Sequence, residues 1–310
     1  MQKLLKRYFE CVHVIKIWHI TATNKRSTQV ASGVMSSPIR FVVLGDSAAA
    51  GIGDSDKFGN NFGWGYYLAR AIQSPLVYAN VSRPGAQSQE VRDVQLKHAL
   101  DFKPNLAAVI VGGNDVLRNG FSPQRFHQNL RTIVSELTAL NSTVLLLELH
   151  DPNKLLRLPK TLAGILDRRI NMVNSMTRAV AEEFSTKLLQ TRQIADIYSK
   201  DMWHVDRMHP SKKGHQHLAK NFRKILLDEI AVAPVRISPV HVKTRKESIS
   251  WMLLKGTPWF FKRCFDLLPA VLFLITKEKI LNAFSGRRGK EDNVHFANFT
   301  QSQSTEAISA

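Results

Sequence analysis

From residue 40 onward the chain alternates short apolar runs with amphipathic stretches of helical length, and this alternation restricts the folds open to it. The apolar runs are 40–44, 76–81, 106–111, 143–147 and 187–189. The stretches that follow them, 63–73, 88–100, 123–140, 162–184 and 211–230, carry apolar residues at helical spacing, as Tyr67, Leu68, Ala71 and Ile72 do in the first. Ser88 and Ser122 stand where helix N-caps are expected. Strands that are continuously apolar and alternate with helices predict a parallel sheet of five strands, covered by helices on both faces. In such a sheet reactive groups gather beyond the carboxyl ends of the strands.

The chemistry-bearing residues fall at those ends. Gly45-Asp46-Ser47-Ala-Ala-Ala-Gly51 follows the first run and projects a hydroxyl where backbone N–H groups also point, although serine beside glycine is also ordinary turn chemistry. Gly85, in a Pro-Gly turn after the second run, lets a ligand approach the backbone closely. Gly112-Gly113-Asn114-Asp115 follows the third run; the Asn114 amide can donate to a developing oxyanion, or simply build a turn. Asp206-Arg-Met-His209-Pro210 precedes the last helix. A carboxylate three residues ahead of a histidine can fold back onto one ring nitrogen, fix the tautomer and leave the other nitrogen to accept a proton.

The order of these four blocks resembles the SGNH hydrolase superfamily, the GDSL-type esterases and lipases, over residues 39–231. The resemblance implies a three-layer, flavodoxin-like α/β fold and ester or thioester hydrolysis with neither metal nor cofactor. By position it implies Ser47 as nucleophile, His209 as general base and then acid, and Asp206 as the residue that orients His209. It also implies an oxyanion hole of the Ser47 and Gly85 N–H groups with the Asn114 side chain. Asp46 and Asp115 are read as loop-shaping residues. Ala48 departs from the pattern, which often has leucine there.

Other candidates are weaker. His215 and His217 project about 200° apart on one helix, so they cannot form one metal face. His204 is read as a rim residue. Trp64, Tyr66 and Tyr67 are candidates for lining an acyl pocket or for helix packing. The loops 54–62 and 150–161 are expected to select the substrate.

The flanks differ in texture. The net charge is +18, and residues 1–40 and 235–310 each contribute +6, so two thirds of the excess lies outside the α/β segment. Such tails suit anionic surfaces, but the basic residues form no nucleic-acid motif, and nucleic acid is not expected as a partner. Residues 1–38 are read as a flexible basic extension. Its apolar stretch is broken by Glu10, His13, Lys16 and His19, unlike a secretory leader. Met35 precedes the first strand by about five residues, so residues 1–34 are read as loose or as no part of the natural product. Residues 39–232 form the hydrolase domain and 233–250 a linker. Residues 251–284 form an apolar and basic amphipathic segment, and 285–310 a disordered tail. Trp251, Trp259, Phe260 and Phe261 beside Lys255, Lys262 and Arg263 suit an anionic membrane surface, contacted through residues 251–276. Two cysteines, Cys11 and Cys264, make a disulfide framework unexpected and suggest a reducing, cytoplasmic setting, with the membrane periphery as the alternative. The expected substrate is a small-molecule or lipid ester. The competing readings are acyl transfer through the same acyl-enzyme and non-catalytic binding to a membrane surface.

Overall fold

A computed structural model describes residues 13–17, 38–118, 120–156, 158–238 and 276. The chain divides into two compact units, 1–271 and 272–310, and of the second only Thr276, which is helical, is described. Apart from Thr276, the amphipathic segment with its aromatic and basic residues, the disordered tail and both cysteines therefore lie outside the described residues.

The first unit holds a twisted sheet. Its parallel strands are β2 (Ile39–Gly45), β3 (Leu76–Asn80), β4 (Leu106–Ile110), β5 (Thr143–Leu147) and β6 (Lys187–Leu189), close to the five expected runs. A sixth strand, β1 (His13–Ile17), lies antiparallel to β3 and pairs His13 with Asn80 and Ile17 with Leu76. Residues 13–17 thus add one antiparallel edge strand to the five parallel strands expected. The alternating His13-Val-Ile-Lys-Ile17 pattern suits an edge, but so short a run is also what a broken apolar leader looks like. The spatial order is β1-β3-β2-β4-β5-β6. The chain thus leaves β2 toward one edge, crosses back over it to β4, and opens a crevice at the carboxyl end of β2.

Helices cover both faces. They are α1 (Gly63–Ala71), α2 (88–101), α3 (Gly113–Val116), α4 (Pro123–Ala139), α5 (Lys160–Glu183) and α6 (Lys212–Leu226). In α2 the turn Val91–Gln95 widens to π geometry between α-helical ends. Successive strand residues face opposite layers. Phe41, Val43, Ala108 and Leu145 pack with Trp64, Leu68, Phe222 and Leu226 of α1 and α6. Val42, Leu44, Val109 and Leu146 pack with Val91, Leu130, Ile133 and Val173 of α2, α4 and α5. Both faces being covered explains why the strands read as unbroken apolar runs.

Two of the capping expectations separate here. Ser122 caps α4 by accepting the Arg125 N–H at 3.3 Å. Ser88 does not cap α2; Gln87 occupies the cap position, and the Ser88 hydroxyl turns to Asp115 instead. Trp64 is a packing residue: it is fully buried and stacks on Phe222 with ring centroids 4.6 Å apart. No described helix is long and apolar enough to cross a membrane.

Phe222 is fully buried where α1 and α6 meet. Phe222→Ala is expected to lower unfolding stability by about 3–5 kcal/mol, read by urea titration, because the Trp64 face cannot collapse onto the void. A loss below about 1 kcal/mol would show that the layer repacks.

Candidate active site

The site begins with the backbone at the end of β2. Gly45 has φ +137°, and a β-carbon there would lie 1.9 Å from the Ile110 carbonyl oxygen, so only glycine fits. Both of its peptide groups are held by one side chain. Buried Gln95 accepts the Gly45 N–H at 2.8 Å and donates to its carbonyl at 3.0 Å. The Arg83 N–H, at the start of the next loop, donates to the same carbonyl at 3.0 Å. Beyond Gly45 the chain turns at once. The Ala48 N–H bonds the Asp46 side chain at 2.9 Å, and the Ala50 and Ile52 N–H groups bond the Asp46 and Ser47 carbonyls.

Ser47 emerges from that turn facing His209. Its Oγ lies 2.8 Å from His209 Nε2, and His209 Nδ1 lies 2.9 Å from Asp206 Oδ2. Asp206 Oδ1 accepts the Met208 and His209 N–H groups at 2.9 and 3.0 Å. Burial raises the Asp206 carboxyl. Hydrogen bonds from His204 and His209, attraction to His209 and the Met208 N–H outweigh it and hold the group far below the usual carboxylate range. The carboxylate therefore stays ionised and keeps Nδ1–H as a donor, which leaves Nε2 to accept from Ser47. The predicted fold-back of Asp206 onto His209 is thus present.

The turn that holds Gly85 is joined to Asn114 through Ala86. Arg83-Pro84-Gly85-Ala86 closes with an Ala86 N–H to Arg83 carbonyl bond of 3.1 Å, with φ +87° at Gly85, the backbone that proline followed by glycine prescribes. Asn114 Nδ2 donates to the Ala86 carbonyl at 3.1 Å, which ties the third block to the second. Asp115 completes the tie by accepting the Ser88 N–H at 3.0 and 3.1 Å and its hydroxyl at 2.6 Å. Asn129 and Arg92 extend the chain of bonds from the Ser88 hydroxyl. Asp46 and Asp115 are buried, and each accepts from the backbone of a loop at the site, Asp46 from Ala48 and Asp115 from Ser88.

Ser47, Asn114 and His209 line a cavity of about 410 Å³, as does Pro84 beside Gly85. That volume lies in the range of about 300–1,000 Å³ typical of small-molecule sites. Its wall is mostly apolar, with Ile110, Leu117, Leu156, Leu166, Ile170 and Met202 among its residues. The loop after β5 contributes His150, Pro152 and Leu156; the loop 54–62 contributes none of the lining residues. Tyr66 and Tyr67 are likewise absent from the wall; Tyr67 bonds Asp54 at 2.7 Å.

Several working groups carry no signal in the sequence. Gln95 is one glutamine among helical residues until the fold sets it under Gly45. His150 lines the cavity and lies tilted against Trp203 with ring centroids 4.2 Å apart; burial, then the charges of Arg192 and His209, push its imidazole down to about 3. His215 is fully buried and joins the loop after Ser47 to α1. Its Nε2 lies 3.0 Å from the Ile52 carbonyl, and its Nδ1 accepts the Trp64 N–H at 3.3 Å. Burial pushes it down to about 4, so it is the neutral tautomer with Nε2–H donating. His217 points elsewhere and bonds the Ala195 carbonyl at 3.1 Å. His204 is no bare rim residue: its Nδ1 lies 3.2 Å from the Asp206 oxygen that His209 uses.

Burial raises Asp46 to about 6, against the lowering by the Ala48 N–H and by His209. A carboxyl raised on folding stabilises the fold fully below its unfolded value near 4, and that contribution is lost as pH climbs through about 6. Asp46→Asn keeps an acceptor for Ala48 and removes the charge. It is expected to melt higher than the parent at pH 8, with the difference gone by pH 4; a difference independent of pH would contradict the assignment.

A sequence model of the GDSL-like lipase/acylhydrolase family matches residues 43–217. Thioesterase 1/protease 1/lysophospholipase L1 of Escherichia coli (strain K12) is 29% identical over 181 residues, covering 58% of this chain and 79% of that protein. An acetylxylan esterase of Geobacillus stearothermophilus has a similar fold, at 19% identity and a TM-score of 0.50, over 62% of this chain and 95% of its own. A catalytic mutant of the same esterase gives 19% and 0.51, over 61% and 94%. With the family's match spanning more than half of the chain, this protein belongs to the GDSL-like lipase/acylhydrolase family, the SGNH hydrolases, and is an ester hydrolase by class.

Proposed function

We propose that this protein cleaves carboxylic esters with an apolar acyl group through an acyl-enzyme on Ser47. The observation that carries the reading is the unbroken line Ser47 Oγ, His209 Nε2, His209 Nδ1, Asp206 Oδ2, set at the wall of an apolar cavity. In the first step Ser47 Oγ attacks the ester carbonyl carbon while its proton passes to His209 Nε2. The oxyanion of the tetrahedral intermediate is met by the Ser47 and Gly85 N–H groups and by the Asn114 amide. The Ala86 carbonyl fixes that amide in place and leaves its second N–H for this use. The C–O bond to the alcohol then breaks, and His209 returns its proton to that oxygen. Water, deprotonated by the same ring, repeats the sequence on the acyl-enzyme and frees the acid and Ser47.

The cavity wall supports an apolar acyl group over a sugar. Most of the surface it offers is carbon, from residues such as Ile110, Leu156, Leu166 and Ile170. His150 is neutral, so it brings no charge to the acyl region. Burying a chain against such a wall contributes roughly 0.8 kcal/mol for each methylene.

Two outcomes test the reading. Ser47→Ala should reduce turnover of an aryl ester by at least about 10³-fold and abolish labelling by a serine-directed organophosphonate, with the melting temperature retained; labelling that survives the substitution would place the nucleophile elsewhere. In a series of aryl esters, kcat/KM should rise with acyl length from acetyl and then fall once the cavity is full. Ile170→Trp, which occupies the wall, should move that maximum to shorter chains; an unmoved maximum would exclude this cavity as the acyl site.

A further inference from the structure

The loop that carries Asp206 and His209 is closed like a narrow hairpin. Trp203 and Pro210 form an antiparallel bridge, the His204 N–H donates to the His209 carbonyl at 2.8 Å, and the Arg207 N–H donates to the His204 carbonyl at 3.0 Å. His204 and His209 therefore stand opposite each other across the loop, with Asp206 folded back between them. Arg207, just past Asp206, takes φ +57°, a left-handed backbone that lets the turn close. The outcome is two imidazoles on one oxygen: Asp206 Oδ2 lies 2.9 Å from His209 Nδ1 and 3.2 Å from His204 Nδ1. The three side chains are mostly covered, 11% exposed at His209, 14% at Asp206 and 18% at His204. The ring nitrogen paired with Ser47 Oγ is His209 Nε2.

We propose that His204 is a positioning residue, which by sharing Asp206 Oδ2 with His209 draws the carboxylate's charge away from that ring and keeps it neutral further into the acid range. The inference rests on the reading of Ser47 as nucleophile and His209 as base. Its physical ground is the division of one acceptor. A carboxylate favours the imidazolium it faces, and each further donor on the same oxygen weakens that preference. Asp206 Oδ1 is already occupied by the Met208 and His209 N–H groups, so it gives His204 and His209 no second oxygen to share. The other charged and titratable groups near the pair include Arg207 of the same loop, Asp46 from the turn after β2, Glu148 and His150 after β5, and His215 of α6 with Asp54 near it. Exchanging His204 leaves all of these side chains unchanged.

The test is the rate of Ser47 phosphonylation by an organophosphonate between pH 4.5 and 9, measured as a first-order rate constant on the full chain. Only folded molecules react, so partial misfolding lowers the amplitude and leaves the pH dependence readable. In His204→Phe, which keeps the ring shape and removes the donor, the acid limb should move upward by about half to one pH unit, equivalent to a three- to ten-fold slower reaction at its acidic foot. His204→Asn, whose amide can reach the same oxygen, should return the limb toward that of the parent. An acid limb unmoved in His204→Phe, moved to lower pH, or equally displaced in both variants would overturn the proposal. Absence of labelling at every pH in the parent would instead overturn the assignment of Ser47 itself.

Discussion

Strand β2 ends with its backbone pressed against β4. At Gly45 the space for a β-carbon is taken by the Ile110 carbonyl, and Gln95 grips the peptide on both sides. This contact lets the chain leave the sheet sharply, at the point where the strand order reverses. Ser47 consequently stands in the crevice, two residues past the strand, rather than on a wandering loop. The π turn at Val91–Gln95 belongs to the same arrangement, since Gln95 is the residue at its end. The local irregularity of α2 and the sharp exit of β2 share a buried pair of hydrogen bonds.

Around that point three loops are tied into one rigid rim. Arg83 joins the second block to Gly45; Asn114 and Asp115 join the third block to the second through Ala86 and Ser88. The fourth block is brought in by close backbone approach. A β-carbon at Gly53 would lie 2.1 Å from the Pro210 carbonyl oxygen, and His215 bonds the Ile52 carbonyl on the same stretch. Groups that must meet a reacting carbonyl from several directions thus sit on loops with little freedom to part. Such rigidity is what electrostatic stabilisation of a developing charge requires, because donors aligned in advance lose nothing to reorganisation.

Charge at the site is arranged by depth. Asp206 is held ionised by converging donors, whereas Asp46, close by and more deeply buried, is raised to about 6. Two carboxylates in one site thus differ because one has four N–H partners and the other chiefly one with burial against it. The histidines divide in the same way. His150 and His215 are driven neutral by burial, one against Trp203 and one under the Ser47 loop. His204 and His209 face a carboxylate.

Much of the fold is written in the local pattern. Five apolar runs and the helices between them suffice for the parallel sheet, because strands covered on both faces must be apolar throughout. The four chemical blocks are likewise legible, since each sits at a strand end or a helix start and their order is fixed by chain topology. The amino-acid sequence by itself determined these placements and the pairing of Asp206 with His209, a contact across three residues. Contacts over long separations were decided only by the tertiary structure: Gln95 on Gly45 across 50 positions, Asp115 on Ser88 across 27, and His209 on Ser47 across 162. The same holds for β1 on the sheet edge, for the apolar cavity, and for His204, whose meeting with Asp206 depends on a loop closed by the Trp203–Pro210 bridge. The physical reason is that periodicity records which face of an element is buried, while partners from distant elements are chosen by packing, and a single Gln or His has no period to reveal them.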